Sequence, residues 1–235
     1  MTELKLDLHR HATATAFFAA TAERVAAQLQ GGLRERGAAS FAVPGGTTPG
    51  PIFDLIAQNP LDWSKIAVTL TDERWVPATD ASSNERLVRD RLLTGRALVG
   101  RLVPLYTGAV TPSTGLNDAT KRLRQLELPL DVVLLGMGGD GHFASLFPGM
   151  PGLDAGLDPE SDAWLIASDR PINDQARISL SLGLLLRSRL IVLIVRGADK
   201  LGVIERAKTA SPTELPIAAI LRQTKVPVEI HYSEE

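Results

Sequence analysis

Cysteine is absent from this 235-residue chain, and aromatic residues make up only 5% of it. Without thiols the protein has no disulfide, no thiolate nucleophile and no cysteine-based zinc or iron–sulfur site. Long apolar runs are also missing, because the most apolar stretch, residues 190–195, is far shorter than the roughly 20 residues of a membrane-spanning helix. The sequence therefore predicts no redox chemistry at sulfur and no membrane span.

An excess of charge of one sign is lacking too. The 25 basic and 27 acidic residues give a formal net charge of −2, and the basic residues are scattered along the chain. A nucleic-acid-binding protein would cluster its basic residues, so we expect neither nucleic acid nor a membrane as a partner. A small anionic ligand needs only local positive charge, and such a ligand stays compatible with this sequence.

The overall composition is that of an ordinary globular protein, with 44% apolar and 22% charged residues. The length suits one large α/β domain better than two, so we predict a single domain over residues 1–235. The first ten residues contain four charged residues, and the first 20 offer no apolar core of the kind that a secretory signal has. Together with the absence of cysteine, this favours a cytoplasmic protein.

Strand-like apolar runs alternate with helix-like amphipathic segments along the chain. We predict strands over residues 41–43, 66–70, 132–135, 164–167, 190–195 and 226–231, and helices over residues 13–36, 52–56, 83–93, 199–207 and 215–221. This alternation predicts an α/β fold with a mostly parallel, doubly wound (Rossmann-like) sheet and helices on both faces. Ligands of such folds bind beyond the carboxyl ends of the strands. Residues 147–160, rich in Gly, Pro and Asp, are predicted to form a surface excursion long enough for a lid.

A glycine turn follows the first internal strand and precedes a helix. It contains Gly45, Gly46, Thr47 and Thr48. Backbone N–H groups of such a turn can approach an anion at a helix N-terminus, where the helix dipole favours phosphate. An ordinary tight turn with a threonine cap explains the same residues.

Charged residues follow the next strand, at residues 72–74. Arg74 is a candidate to bind an oxyanion or a sugar hydroxyl, and Asp72 to contact the substrate or position the turn. A solvated surface turn remains an equal alternative at this point.

The most informative stretch is residues 136–142, GMGGDGH, directly after an apolar strand. Its glycines allow close backbone approach and place Asp140 and His142 at the strand's carboxyl end. A neutral imidazole can take a proton from water, and a neighbouring carboxylate can fix its tautomer. The alternative is a hydrogen-bonded histidine with a structural role.

Two single cations, Arg177 and Lys200, follow later predicted elements. Either one can complete a phosphate site from another strand or helix end, although exposed lysine and arginine are usually solvated. His9 and His11 form an H-x-H pair, but no third ligand follows at metal-binding spacing, so we predict no metal site. Nucleotide-binding and serine-nucleophile motifs are missing, which leaves water as the nucleophile and no organic cofactor.

Taken together, these motifs resemble the 6-phosphogluconolactonases of the glucosamine-6-phosphate isomerase/6-phosphogluconolactonase superfamily. The segments that carry the resemblance are residues 44–49 (PGGTTP), 71–77 (TDERWVP), 83–84 (SN), 136–149 (GMGGDGHFASLFPG), 177–182 (RISLSL) and 197–200 (GADK). They cover nearly the whole chain in the same order. Two positions depart from the usual family pattern: Phe143 stands where threonine is usual, and Pro44 where serine is frequent.

The resemblance implies hydrolysis of 6-phospho-glucono-1,5-lactone to 6-phosphogluconate in the oxidative pentose phosphate pathway, without metal or cofactor. In the mechanism that we expect, His142 is the general base and Asp140 orients it. Glucosamine-6-phosphate deaminases share the fold, but residues 145–149, SLFPG, replace their Asn-Glu-Pro-Gly type segment. A non-catalytic sugar-phosphate sensor is the other alternative. We expect a monomer or a weak homodimer.

Overall fold

The computed structural model describes residues 6–235, whose strands form a main sheet and a smaller one. The main sheet contains β1 (Asp7–His11), β2 (Ala39–Val43), β3 (Ile66–Leu70), β5 (Arg101–Val103), β6 (Val132–Gly136), β9 (Ile191–Arg196) and β10 (Val228–Ser233). The smaller sheet contains β4 (Asp72–Arg74), β7 (Leu165–Ile172) and β8 (Gln175–Leu180).

The helices connect these strands and cover the main sheet. They are α1 (Ala14–Arg36), α2 (Pro49–Ala57), α3 (Asn84–Leu87), α4 (Pro112–Leu123), α5 (Leu153–Leu157), α6 (Leu182–Leu185), α7 (Ala198–Ala207) and α8 (Ile217–Arg222). A π-helical turn, Val88–Leu92, continues α3, and short 3₁₀ helices lie at Trp63–Lys65 and Gly95–Val99. Across residues 6–235, no helix combines the length and the apolar character that crossing a bilayer requires.

All pairings in the seven-stranded main sheet are parallel, and the strand order is β1-β10-β9-β6-β2-β3-β5. From the β2–β6 pair the chain proceeds outward in both directions, first through β3 and β5 and later through β9 and β10. Such a switch point opens a crevice at the carboxyl ends of the two central strands. The predicted α/β fold with a mostly parallel, Rossmann-like sheet is confirmed.

The central strands are mostly apolar and do not alternate with polar residues, because both faces of the sheet are covered. Every residue of β2 and β3 is buried, as are the first four residues of β6. In a sheet with one solvated face, apolar and polar residues would alternate. The continuous apolar pattern at residues 66–70 and 132–135 therefore predicted these strands to within one residue.

Helix α1 begins and ends where its capping residues require. The Thr13 hydroxyl accepts a hydrogen bond from the Ala16 N–H, and Gly37 ends the helix in the left-handed region at φ 75°. Phe17, Val25 and Leu29 are buried on the face that packs against the sheet. The predicted helix over residues 13–36 is confirmed.

The smaller sheet differs from the sequence prediction. The strand predicted at residues 164–167 is part of β7, which pairs antiparallel with β8 instead of joining the main sheet. The charged residues 72–74, predicted as a turn, form β4 and pair antiparallel with the other side of β8. This added sheet carries Asp72, Arg74 and Arg177 next to the crevice.

The segment 147–160 is less of a surface excursion than its composition indicated. Phe147, Met150, Leu153 and Leu157 are buried, and the last two belong to α5. Its apolar side chains pack into the core, while most of the intervening residues are exposed. The Gly, Pro and Asp content hid this packing from the sequence analysis.

Candidate functional site

A cleft of about 240 Å³ lies at the carboxyl ends of the central strands, beside the switch point. The predicted residues in its lining are Gly45, Gly46, Thr47, Thr48, Asp72, Arg74, His142, Arg177 and Lys200. Asp140 is not part of the lining but contacts His142. The three polar turns therefore meet at one edge of the sheet, as the strand order requires.

The first glycine turn forms one wall of the cleft. Gly46 adopts φ 92°, a left-handed conformation that favours glycine, and α2 begins at Pro49. The Thr48 side chain makes no capping hydrogen bond. Thr48 and Pro49 line the cleft, so the uncapped Thr48 hydroxyl is a group able to bind an anion there.

His142 lines the same cleft and is oriented by Asp140. The Asp140 Oδ1 atom accepts hydrogen bonds from the His142 backbone N–H at 3.1 Å and from the ring Nδ1 at 2.5 Å. Partial burial would raise the pKa of Asp140, but the hydrogen bonds and charge of His142 outweigh it and hold that pKa below its usual value. The ring stacks on Phe147 at 4.0 Å between centroids. A side chain at Gly138 would collide with the imidazole.

Two arginines lie opposite each other on neighbouring antiparallel strands. Arg74 of β4 pairs in register with Arg177 of β8, and both line the cleft. Arg177 is only 7% exposed, and its guanidinium lies 5.3 Å from the centre of the Phe147 ring. Burial lowers the pKa of Arg177, but an arginine stays charged in proteins. Paired cations in one cleft indicate an anionic ligand.

The Arg74 guanidinium retains unused donors. Its Nη1 atom donates to the Ser82 carbonyl at 2.5 Å, whereas its buried Nε has no partner in the described part of the chain. An unsatisfied buried donor is costly unless a ligand or water accepts from it. Arg74 is therefore available to a ligand oxygen.

Asp72 is a buried, hydrogen-bonded residue and not part of a solvated turn. Its Oδ2 atom accepts from the Ser145 hydroxyl at 2.5 Å, and its backbone carbonyl accepts from the Asn84 side-chain amide at 2.9 Å. Asp72 thus connects the loop after β6 with the start of α3. Its carboxylate also lies in the cleft lining, where it partly balances the arginines.

Glu73 fixes the loop behind Arg74, and the sequence analysis did not single it out. Its fully buried carboxylate accepts hydrogen bonds from the backbone N–H groups of Arg74, Asn84 and Glu85 and from the Ser83 hydroxyl. Burial raises the pKa of Glu73 to about 7, although these backbone donors oppose the increase. Its donors lie up to 12 residues away in sequence.

Asn84 is the lining residue that the sequence analysis noted only as part of a helix start. Its Oδ1 atom is buried and has no partner among the described residues. A side chain at Gly45 would collide with this amide, so the glycine is needed for its position. The serine–asparagine pair at residues 83–84 was the sequence signal for this position. The Asn84 Oδ1 atom is an acceptor for a hydroxyl group of a ligand.

Lys200 reaches the cleft from a different element. It lies in the first turn of α7, directly after β9, and lines the cleft together with Ile194. Strand β9, which precedes Lys200, lies on one side of β6 in the main sheet, whereas β3, which leads to Arg74, lies on the other side. The cleft therefore receives positive charge from two sides.

A second cavity of about 250 Å³ lies at the amino ends of the strands. Its lining includes Arg36 and the buried Asp131, which form an ion pair with each other. Asp131 also accepts a hydrogen bond from the Ser40 N–H. Because these charged groups are already paired within the protein, this cavity has fewer groups available to bind a ligand than the cleft at the opposite edge.

A family model described as glucosamine-6-phosphate isomerases/6-phosphogluconolactonase matches residues 12–228. The chain belongs to this family. A 6-phosphogluconolactonase from Caulobacter vibrioides is 45% identical over 225 residues, which is 92% of each chain. Another, from Rhizobium meliloti, is 38% identical over 231 residues, covering 98% of this chain and 100% of the relative.

Solved structures of the family superpose over almost the full length. A 6-phosphogluconolactonase from Shewanella baltica gives a TM-score of 0.94 at 37% identity, covering 98% of this chain and 99% of that one. A monomeric glucosamine-6-phosphate deaminase gives a TM-score of 0.77 at 17% identity, covering 97% and 98%. The likeness to the deaminase concerns the fold alone.

The two departures from the usual family pattern lie in different environments. Phe143 is fully buried and absent from the cleft lining, so it packs beneath the site without narrowing it. Pro44 is buried too, but it lines the cleft ahead of the glycine pair. Of the two, Pro44 is the one placed to affect ligand binding in this family member.

Proposed function

We propose that the protein hydrolyses 6-phospho-D-glucono-1,5-lactone to 6-phospho-D-gluconate, in the oxidative branch of the pentose phosphate pathway. The observation that carries this proposal is the Asp140–His142 pair at the edge of a cleft that also contains three cationic side chains, Arg74, Arg177 and Lys200. A proton acceptor and an anion-binding site in one cleft suit a phosphorylated ester. The relatives named 6-phosphogluconolactonase, at 45% and 38% identity, support it.

In this mechanism His142 is the general base. Because Nδ1–H donates to Asp140, the ring keeps its lone pair on Nε2. Nε2 takes a proton from water, and the water oxygen attacks C1 of the lactone. The bond between C1 and the ring oxygen then breaks, and the imidazolium returns the proton to that oxygen. One water is consumed and the base is regenerated.

Substrate orientation comes from groups on both sides of His142. The 6-phosphate is bound by Arg177, Lys200 and the glycine turn of Gly45, Gly46, Thr47 and Thr48. Asp72 accepts a hydrogen bond from a sugar hydroxyl or holds Arg177 in place. Arg74 and N–H groups of the turns stabilise the oxyanion that develops on the C1 oxygen. Binding energy at the phosphate thus positions a distant reaction centre. This route needs neither a metal nor an organic cofactor.

The test is lactone hydrolysis by the variant His142→Ala, measured as acid release and corrected for the spontaneous reaction. We expect kcat to decrease by about 10²- to 10⁴-fold, the usual contribution of a positioned general base, with product binding retained. Lys200→Ala should mainly raise KM, whereas Arg74→Gln should mainly lower kcat. Near-normal turnover of His142→Ala would reject the assignment of the base.

An ammonia assay with glucosamine 6-phosphate separates the lactonase from the deaminase alternative. We expect no ammonia above background, and enzyme-dependent release would favour the isomerising deaminase. The cytoplasmic location, the monomer or weak homodimer, and the absence of nucleic-acid and membrane partners stay predictions. Sedimentation of the purified chain measures the oligomeric state.

A further inference from the structure

Three of the four histidines of the chain lie together at the edge of the main sheet, away from the cleft. His9 and His11 are on the edge strand β1, and His231 is on the neighbouring strand β10, in register with His9. The rings of His9 and His11 each stack on His231, with 5.1 Å between centroids. The sequence analysis found no third ligand for the H-x-H pair because its partner is 220 residues away.

Hydrogen bonds determine which nitrogen of His231 is free. The Thr21 hydroxyl donates its single hydrogen to the Phe17 carbonyl at 2.7 Å and also lies 3.1 Å from His231 Nδ1. Nδ1 also lies 3.2 Å from His11 Nε2, so both hydrogen-bonding neighbours of the ring are on its Nδ1 side. Nε2 is the nitrogen that remains for a further ligand.

The Nε2 atom is buried and has no partner in the described part of the chain. The His231 side chain is 5% exposed, and its Nε2 lies 4.0 Å from the Glu229 carboxylate, beyond hydrogen-bond range. An imidazole that is held through one ring nitrogen, with the other nitrogen left open, is the arrangement found in metal-ligating histidines.

We propose that His9, Glu229 and His231 form a binding site for a divalent transition-metal ion of the Zn²⁺ class. One ligand atom of each residue lies within 4.8 Å of the other two. Ligand atoms at about 2.0–2.2 Å from a tetrahedral ion are roughly 3.3–3.6 Å apart, so the side chains must approach by about 1 Å. The His9 side chain is 45% exposed and can rotate to do so.

The local charges favour a cation at this edge. Asp7 contacts His9 at 3.2 Å, and Glu229 adds a second carboxylate. Arg24 donates to both Glu229 oxygens and so orients that carboxylate. Oε1 accepts two of these hydrogen bonds and Oε2 accepts one, so Oε2, which lies 4.0 Å from His231 Nε2, keeps a second lone pair. Two carboxylates against one guanidinium give an excess of negative charge. Imidazole and carboxylate ligands suit Zn²⁺, with water in the fourth position.

A bound ion would cross-link β1 to β10 and so fix the edge of the sheet. The experiment is a titration of the tag-free, chelator-treated full-length protein with Zn²⁺ by calorimetry, with thermal unfolding as a second readout. We expect one ion per chain. At about 100 times its Kd, Zn²⁺ should raise Tm by roughly 5–10 °C.

The variants locate the ion. His9→Gln changes an exposed side chain and should weaken Zn²⁺ binding at least about tenfold, as should Glu229→Gln. The control His142→Ala removes the remaining histidine, at the cleft, and should leave the stoichiometry and Kd unchanged. Absence of saturable binding, unchanged binding by His9→Gln, or loss of binding in His142→Ala would each overturn the proposal. Because the readout is binding and Tm, its failure leaves the proposed hydrolysis untouched.

Discussion

Glu73 illustrates how a residue without a chemical role controls the geometry of the cleft. Its carboxylate accepts hydrogen bonds from the backbone on both sides of residues 75–83, the loop between β4 and α3. The backbone at Arg74 is therefore fixed where its side chain enters the cleft, and Asn84 is held beside Gly45. The cost is a carboxylate with no exposure to water, which is why its proton affinity rises.

This burial predicts a specific pH dependence of stability. The pKa of Glu73 is about 7 in the folded protein against the ordinary 4.5, so the folded state binds this proton more tightly. The resulting stabilisation is complete below about pH 4.5 and is lost as the pH rises through about 7. We expect the free energy of unfolding of wild type relative to Glu73→Gln to fall by roughly 2–3 kcal/mol between pH 5 and 8.

Urea unfolding of both proteins across this pH range measures the difference. Glu23→Gln, on the exposed face of α1, is the control and should differ from wild type by less than about 0.5 kcal/mol throughout. A relative stability of wild type that increases with pH would show that the hydrogen-bond donors outweigh burial and keep Glu73 ionised.

At this scale, sequence distance determined what could be predicted. Asp140 and His142 are two residues apart after an obvious strand, so their contact followed from local pattern alone. Glu73 and Asn84 are in contact across a loop whose conformation cannot be predicted from hydrophobic periodicity. His231 lies opposite His9 only because β1 and β10 pair, and neither segment has a sequence pattern that predicts this pairing.

The turn between β2 and α2 packs closely against Asn84 at the start of α3, and Gly45 is the point of contact. A methyl group at Gly45 would occupy the position of the Asn84 amide, which is buried and bonded to the Asp72 carbonyl. We expect Gly45→Ala to displace Asn84 and to raise KM for the lactone about tenfold or more, the effect of one or two lost hydrogen bonds. Steady-state kinetics of the purified variant measure it.

Gly31→Ala is the matched control for this change. Gly31 is in α1, and no atom lies within 4 Å of an added methyl group. Its kinetics should match wild type, and its helix should be more stable by about 0.5–1 kcal/mol. Unchanged KM in Gly45→Ala would mean that the Asn84 amide does not contribute to substrate binding.

Among the elements, the central parallel strands were predictable, whereas the parallel edge strands β1 and β5 and the antiparallel β4 and β8 were not. The central strands are buried on both faces, so residues 66–70 and 132–135 are almost entirely apolar and have sharp ends. Strand β4 is three charged residues long, and β7 continues through Asp169 and Arg170. Short or polar strands are specified by their partner β8 more than by their own residues, so their composition resembled turns.

For the whole molecule, the two sheets share one hydrophobic core. Ile178 of β8 and Leu135 of β6 belong to the same buried cluster. We therefore expect one cooperative unfolding transition, in agreement with the single domain predicted over residues 1–235. Single-tryptophan variants report on each sheet separately, since Trp63 precedes β3 and Trp164 precedes β7.

The measurement compares urea midpoints from tryptophan fluorescence in the two variants with those from far-UV circular dichroism. Coincident midpoints are expected in every case. A lower midpoint reported by Trp164 alone would show that the antiparallel sheet unfolds independently, and the single-domain prediction would then be wrong.

The pairing of β1 with β10 has a consequence for synthesis of the chain. Strand β1 is synthesised before its hydrogen-bonding partner β10, which follows after the 220 residues that separate His11 from His231. At roughly 5–20 residues per second, the nascent segment waits about 10–45 s with its backbone donors and acceptors unpaired. During that interval it offers a template for β-pairing with other chains, and its charges at Asp7 and Arg10 are the protection available to it.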